Sequence, residues 1–274
     1  MYLWDFAVNN STYGFIDPDD SSTYVLFDQH ITFKESKHKI ATNGWNGDEY
    51  LFIYWYGVDD CINSRFSGYS TEKIVEGSLT IFNNILNDVY NEGAKNILIM
   101  NVPSIENAPN NVNNELKIDS LIKGFNDQYY NFTKIFQDKH KDANIFLYDS
   151  YNEFKYIMEN GKKYNITHIS NSFNSNPNNT KEDYESYFWY DDIHPTSSVH
   201  KAFAIDIFFF LKENSIKDVQ KSETHEKANS NFYGNNVQRE RVFEYDESYS
   251  TRNSIYNHCG LLLLLILDII YLLL

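Results

Sequence analysis

Continuous apolar runs and stretches with apolar residues at helical spacing follow one another along most of the chain. A continuous apolar run that ends in polar turn residues is typical of a parallel strand buried on both faces. Four such runs predict strands, over residues 3–8, 51–56, 96–102 and 144–148. We expect these strands to form one mainly parallel sheet.

Apolar residues at helical spacing predict helices over residues 71–91, 115–139, 151–158 and 197–211. Strands that alternate with helices favour right-handed crossovers and a three-layer α/β/α sandwich. We therefore predict an α/β fold. Functional sites in such folds lie beyond the carboxyl ends of the strands.

The apolar pattern ends after Ile216, so we predict one domain over residues 1–216. Residues 217–259 are polar and charged without a periodic apolar face, which indicates a disordered linker. Residues 260–274 form a hydrophobic C-terminal tail, shorter than the roughly 20 residues that span a bilayer. A lipid-anchor signal, a marginal tail anchor and a non-native extension from an imperfect gene model all fit this tail.

Composition narrows the classes of partner. The chain has 274 residues, 42% of them hydrophobic, which is enough for a sizeable core. Its net charge of -15 leaves no basic surplus to displace counterions, which argues against nucleic acid as a partner. Cys61 and Cys259 do not imply a disulfide framework. We expect neither a metal nor a cofactor.

Glycosylation sequons fit a secreted glycoprotein and begin at Asn9, Asn10, Asn131, Asn165 and Asn178. Residues 1–8, however, lack the basic leader and long apolar region of a signal peptide. Either the protein is cytosolic, or its true N-terminus is absent from this chain. In the second case the full-length parent would be secreted or at the cell surface, and its tail could contact a membrane.

An acid–histidine pair is the most specific chemical feature. Asp191 precedes His194 by three residues, and Pro195 stops a helix from starting there. At this spacing the carboxylate can accept a hydrogen bond from one imidazole nitrogen, which leaves the other nitrogen free as a base. Asp192 is less suited to reach the same imidazole. The alternative is a surface turn with a chance acid–histidine pair.

Two other predicted strand ends carry polar groups. Gly57 lets the backbone turn sharply before Asp59 and Asp60. Asn10 follows the predicted strand at residues 3–8 and tolerates left-handed backbone angles, so its N–H could face a cavity. Ordinary exposed loops are the alternative at both places.

In this order, the three stretches resemble the GDSL subfamily of the SGNH hydrolases, which are lipases and esterases. Val-Asn-Asn-Ser-Thr at residues 8–12 resembles the second family block, usually Gly-Gly-Ala-Thr. Gly-Val-Asp-Asp at residues 57–60 resembles the third, usually Gly-x-Asn-Asp. Asp-Asp-Ile-His-Pro-Thr at residues 191–196 is the closest match, to the fifth block, Asp-x-x-His-Pro-Thr. The likeness covers about residues 4–211.

The resemblance implies a flavodoxin-like SGNH hydrolase fold and Ser-His-Asp hydrolysis of a small-molecule or polysaccharide ester. His194 would be the base and Asp191 its orienter, while Asn10 and Asp59 would stand at the oxyanion hole. The first family block, which carries the serine on the central first strand, is missing. We therefore identify no nucleophile, and the available serines stay unassigned: Ser11, Ser67 and Ser197.

Asp59 replaces an asparagine of the family pattern. An ionised carboxylate repels an oxyanion, so Asp59 would help only if protonated. With the serine block also missing, we expect little or no activity for the polypeptide as written. Three functions stay open: an N-terminally truncated esterase, an inactive relative that binds carbohydrate or another ligand, and a membrane-tethered structural protein. Family grounds favour the first.

Overall fold

The computed structural model describes residues 4–16, 24–40, 46–64, 67–111, 118–178, 180 and 183–221. The chain divides into two compact units. The sheet unit comprises the described residues of 4–106 and 111–151, and the C-terminal unit comprises those of 107–110 and 152–221. The predicted tail and nearly all of the predicted linker lie outside the described residues, and the predicted domain boundaries stay a prediction.

Helices and strands are interspersed along the described part of the chain. Six α-helices are described: α1 (Leu26–Ile40), α2 (Val58–Asn63), α3 (Thr71–Asn91), α4 (Asp119–Lys139), α5 (Ser150–Glu159) and α6 (Ser197–Lys221). Five strands are described: β1 (Leu51–Trp55), β2 (Asn96–Met100), β3 (Asn144–Tyr148), β4 (His168–Ser172) and β5 (Tyr187–Trp189). No helix in this described part of the chain is long and apolar enough to cross a membrane.

The sheet unit is built on a parallel sheet with the order β1-β2-β3. The central strand β2 is almost fully buried from Ile97 to Met100, which is the burial on both faces that its unbroken apolar run predicts. Helices α3 and α4 pack on each other, and α4 packs against β3. The predicted α/β architecture is confirmed.

Helix α3 forms because its apolar residues recur at helical spacing and its ends are capped. The Ser70 side chain accepts a hydrogen bond from the N–H of Lys73 at the start. At the other end Gly93 adopts a positive φ of 103°, the backbone conformation that commonly follows a helix. Its bounds, Thr71–Asn91, are those predicted from the sequence.

The predicted strand over residues 3–8 is wrong for the described residues 4–8, which form no strand. Trp4 and Val8 are 43% and 41% exposed, so the apolar run is not buried on both faces. The Asp5 side chain also accepts a hydrogen bond from the N–H of Ala7, a local bond that competes with strand pairing. Strand β1 therefore has β2 as its only partner among the described residues.

Helix α1 was not predicted, because its buried face is half polar. That face has helical spacing but consists of Leu26, Gln29, His30 and Phe33. The sequence also did not predict the short strands β4 and β5 of the C-terminal unit. These two strands pair in parallel. Strand β5 leads directly into the loop that contains His194. Helix α6 is longer than predicted and continues to Lys221.

Candidate active site

The loop after β5 brings the predicted acid and base into contact. His194 Nδ1 lies 2.9 Å from each carboxylate oxygen of Asp191. Asp191 Oδ1 also accepts the backbone N–H groups of Ile193, at 3.0 Å, and His194, at 2.8 Å. These bonds hold residues 191–194 in a tight turn. The Asp191 carboxylate is therefore fixed by backbone N–H groups as well as by the imidazole.

The base of the loop is closed by strand-like pairing. Trp189 and Pro195 form an antiparallel bridge. Tyr190 N–H donates to the His194 carbonyl at 2.7 Å, and Thr196 N–H donates to the Phe188 carbonyl at 2.8 Å. Asp192 contributes its backbone carbonyl, which accepts the N–H of Asn110. The loop is therefore anchored on both sides of the Asp191–His194 pair.

The hydrogen-bond donors around Asp191 favour its charged form. Partial burial raises the pKa of its carboxyl group, but the N–H groups of Ile193 and His194 and the imidazole outweigh this effect. The net result is a pKa below the ordinary value. Asp191 therefore stays ionised near neutral pH, as an orienter of an imidazole must.

A second histidine lies on helix α6 close enough to interact with His194. Burial, and secondarily the charge of His194, lower the pKa of His200 to about 4. His200 is 6% exposed and therefore stays neutral near pH 7. No sequence motif singles it out, because its effect depends on the burial of its side chain in the folded structure.

The two predicted oxyanion positions lie in the sheet unit. Asn10 has a φ of 60°, the left-handed angle predicted for it, and its N–H donates to the Asn9 side chain at 2.9 Å. Asp59 is half-buried in the first turn of α2. Gly57 precedes this turn with a φ of 106°, a conformation that favours glycine.

Asp60, next to the predicted position, is the more unusual carboxyl group. It is fully buried, and its two oxygens accept the N–H of Tyr13 at 3.2 and 3.3 Å. Burial, with a contribution from the neighbouring Asp59, raises its pKa to about 7. Sequence reasoning gave Asp60 no role, and the strand-to-turn context of residues 57–60 was the available signal.

The serines left unassigned in the sequence have structural partners. Ser11 accepts a hydrogen bond from the Gln29 side chain at 2.7 Å, and Ser67 donates to the Ser64 carbonyl. Ser197 begins α6, where its N–H donates to the Tyr184 hydroxyl. The described residues therefore assign no nucleophile. They also contain no cluster of His, Cys, Asp or Glu side chains suited to hold a metal ion.

An α/β chain with an ionised carboxylate on the imidazole of a fixed loop is typical of Ser-His-Asp hydrolases. The family model of the GDSL-like lipase/acylhydrolases matches residues 3–207. The chain belongs to this family, and its parallel α/β fold is consistent with the α/β/α fold of SGNH hydrolases.

A curated relative adds a more specific comparison. The chain is similar to an acetylesterase from Thermothelomyces thermophilus, at 24% identity over 209 residues. The match covers 74% of this chain and 66% of the acetylesterase, so the chain spans just under two thirds of that protein's length.

Proposed function

We propose that this protein hydrolyses acyl or carbohydrate-acetyl esters, with His194 as general base and Asp191 as its orienter. The observation that carries the proposal is the 2.9 Å contact between His194 Nδ1 and both oxygens of an ionised Asp191. A carboxylate accepts but cannot donate, so Nδ1 must hold the proton. Nε2 is then unprotonated and available as a base.

The proposed reaction follows from this tautomer. Nε2 takes the proton of a nucleophilic hydroxyl as its oxygen attacks the ester carbonyl, and then gives that proton to the leaving alcohol. Water, deprotonated by the same nitrogen, releases the acid and restores the hydroxyl. Asp191 holds the imidazolium in place during both steps. The neutral state of His200 avoids a second positive charge beside it.

Family membership supports an ester substrate, and the acetylesterase relative supports a small acyl group. The test is hydrolysis of p-nitrophenyl acetate by the protein expressed from its complete coding sequence. His194→Ala should lower kcat/KM by about 10⁴-fold or more. Asp192→Asn is the matched control, because it removes the adjacent carboxyl group and should leave kcat/KM near that of the wild type.

A fluorophosphonate probe in the same preparation identifies the nucleophile by the mass of the labelled peptide. Labelling of one serine that is lost in His194→Ala would support the proposal. Turnover that survives in His194→Ala would refute it.

A second candidate function is binding of carbohydrate or another ligand without hydrolysis. It is favoured by Asp59, a carboxyl group where the family pattern has an asparagine amide donor, and by the Asn10 N–H, which donates to the Asn9 side chain. Losing one oxyanion donor costs about two to three powers of ten in turnover. Binding of neutral oligosaccharides with no hydrolysis of either p-nitrophenyl acetate or acetylated sugars would favour this function over the first.

We further propose that the protein is secreted or displayed at the cell surface as a glycoprotein. Asn165 supports this, since it is exposed in a turn with a φ of 60° and begins an Asn-Ile-Thr sequon. We expect a glycosidase-induced mobility shift of the native protein that becomes smaller in Asn165→Gln. Deletion of residues 260–274 tests whether the tail tethers the protein to a membrane. If it does, the shortened protein should no longer be found in the membrane fraction.

A further inference from the structure

The pairing at the base of the His194 loop determines which side chains share a face. Trp189 and Pro195 are bridge partners, and the bond from Tyr190 N–H to the His194 carbonyl makes these two residues the next opposing pair. Opposing residues of an antiparallel pair point to the same face, with Cβ atoms about 5 Å apart. Tyr190 and His194 therefore project side by side.

The two opposing pairs differ in burial. Trp189 is fully buried, whereas Tyr190 is 42% exposed. On the other side of the loop, Pro195 is buried and the His194 side chain is 36% exposed. The face that presents His194 to solvent thus also presents an aromatic ring.

The Tyr190 ring is held in place by two neighbours. Phe173 stacks on it with ring centroids 6.3 Å apart and an angle of 18°, and Tyr184 meets it edge-on at 5.9 Å. The Tyr190 carbonyl also accepts the N–H of Asn174 at 3.0 Å. A ring fixed in this way contributes contact area with little loss of side-chain entropy on binding.

We propose that Tyr190 is a platform on which the neutral sugar ring of an acetylated carbohydrate stacks, with its ester directed to His194. The inference rests on the proposed esterase function and names its substrate class. A pyranose ring has an apolar C–H face and a rim of hydroxyl groups, which match an amphipathic tyrosine ring bordered by polar residues.

Polar and charged groups surround this ring. Asn174 and Asp192 are exposed beside it, and such polar neighbours suit the hydroxyl groups of a sugar better than an acyl chain. The carboxylate of Asp191 in the same loop, together with Asp192, disfavours an anionic sugar. A neutral sugar is the occupant that both observations favour.

The test compares an acetylated xylobiose with ethyl acetate, an ester without a sugar. Tyr190→Ala should lower the ratio of kcat/KM for the sugar ester to that for ethyl acetate by about tenfold, mainly through KM. Tyr190→Phe keeps the stacking face and should restore most of the ratio. Tyr130→Ala, which removes an exposed tyrosine of the sheet unit, is the matched control and should not change it.

Binding of the same acetylated xylobiose to the His194→Ala protein, measured by NMR titration, separates this inference from the proposed function. Weaker binding when Tyr190→Ala is added supports the platform even if the wild type hydrolyses neither ester, and in that case only the esterase function fails. An unchanged ratio together with unchanged binding in Tyr190→Ala would overturn the platform.

Discussion

The Thr196 hydroxyl donates a 2.6 Å hydrogen bond to the Tyr187 carbonyl from a position with no exposed surface. Its backbone N–H donates to Phe188, so one residue ties β5 to the start of α6. The chain between these two bonds is the loop that carries Asp191 and His194. Thr196 is thus a positioning residue for the candidate site, and it acts through the backbone.

Thr196→Val should destabilise the protein by about 1–3 kcal/mol, because the buried Tyr187 carbonyl loses its donor while the side-chain volume is kept. Thr196→Ser retains the hydroxyl and is the matched control, with a smaller loss from the missing methyl group. Urea denaturation measures the free energy of unfolding of both variants. Equal stability of the valine and serine variants would show that the hydroxyl bond does not anchor the loop.

The loop also shows how far sequence could predict the site. The three-residue spacing of Asp191 and His194 was sufficient to predict their contact, since both lie on one short turn. The neighbouring Tyr190 was not singled out, because its role depends on pairing between β5 and Pro195 across the loop. Residues whose importance comes from tertiary pairing leave no local pattern.

Gly57 is the residue at which a side chain is least tolerated in the turn before Asp59. Its φ is 106°, and an added Cβ would lie 2.6 Å from Val102 Cγ2. Gly68 also has a positive φ, of 68°, but an added Cβ would meet nothing within 4 Å. Alanine at Gly68 would therefore cause backbone strain alone, whereas alanine at Gly57 would cause both backbone strain and a steric overlap.

We expect Gly57→Ala to destabilise the protein by more than Gly68→Ala, which should cost about 1–2 kcal/mol from its left-handed backbone alone. The added overlap with Val102 should bring the Gly57→Ala loss to roughly 3 kcal/mol or more. Thermal unfolding of the two variants makes the comparison. A smaller loss at Gly57 than at Gly68 would contradict the close packing of this turn against Val102.

Asp60 should make the stability of the protein fall as the pH rises. Its folded-state pKa of about 7 lies above the ordinary value of 3.8, so between these values the folded state holds a proton that the unfolded state has lost. The resulting stabilisation is fully present below pH 4 and is lost as the pH rises through 7. The buried carboxylate must then form without a counter-ion among the described residues.

Asp60→Asn removes this titration and keeps an oxygen that can accept the Tyr13 N–H. The free energy of unfolding of the wild type minus that of Asp60→Asn should fall by roughly 3 kcal/mol between pH 5 and pH 8. Asp127→Asn, at an exposed carboxyl group on α4, is the control and should show a constant difference. A constant difference for Asp60→Asn as well would mean that Asp60 is ionised throughout.

The sheet was more predictable than the segment before it. An unbroken apolar run predicted β2 because both of its faces are covered, and the helical spacing in residues 71–91 predicted α3 to the residue. The same kind of run at residues 3–8 failed, because a strand also needs a partner for its backbone groups. The apolar pattern did not predict helix α1, because the polar residues Gln29 and His30 occupy half of its buried face.

The imidazole tautomer of His194 tests the central claim most directly. In ¹⁵N NMR spectra, the uncharged form of His194 should carry its proton on Nδ1 and leave Nε2 unprotonated, and Asp191→Asn should shift the tautomer population towards the Nε2–H form. Asp192→Asn should leave the spectrum unchanged. A wild-type His194 that already carries its proton on Nε2 would contradict the assignment of His194 as base and Asp191 as its orienter.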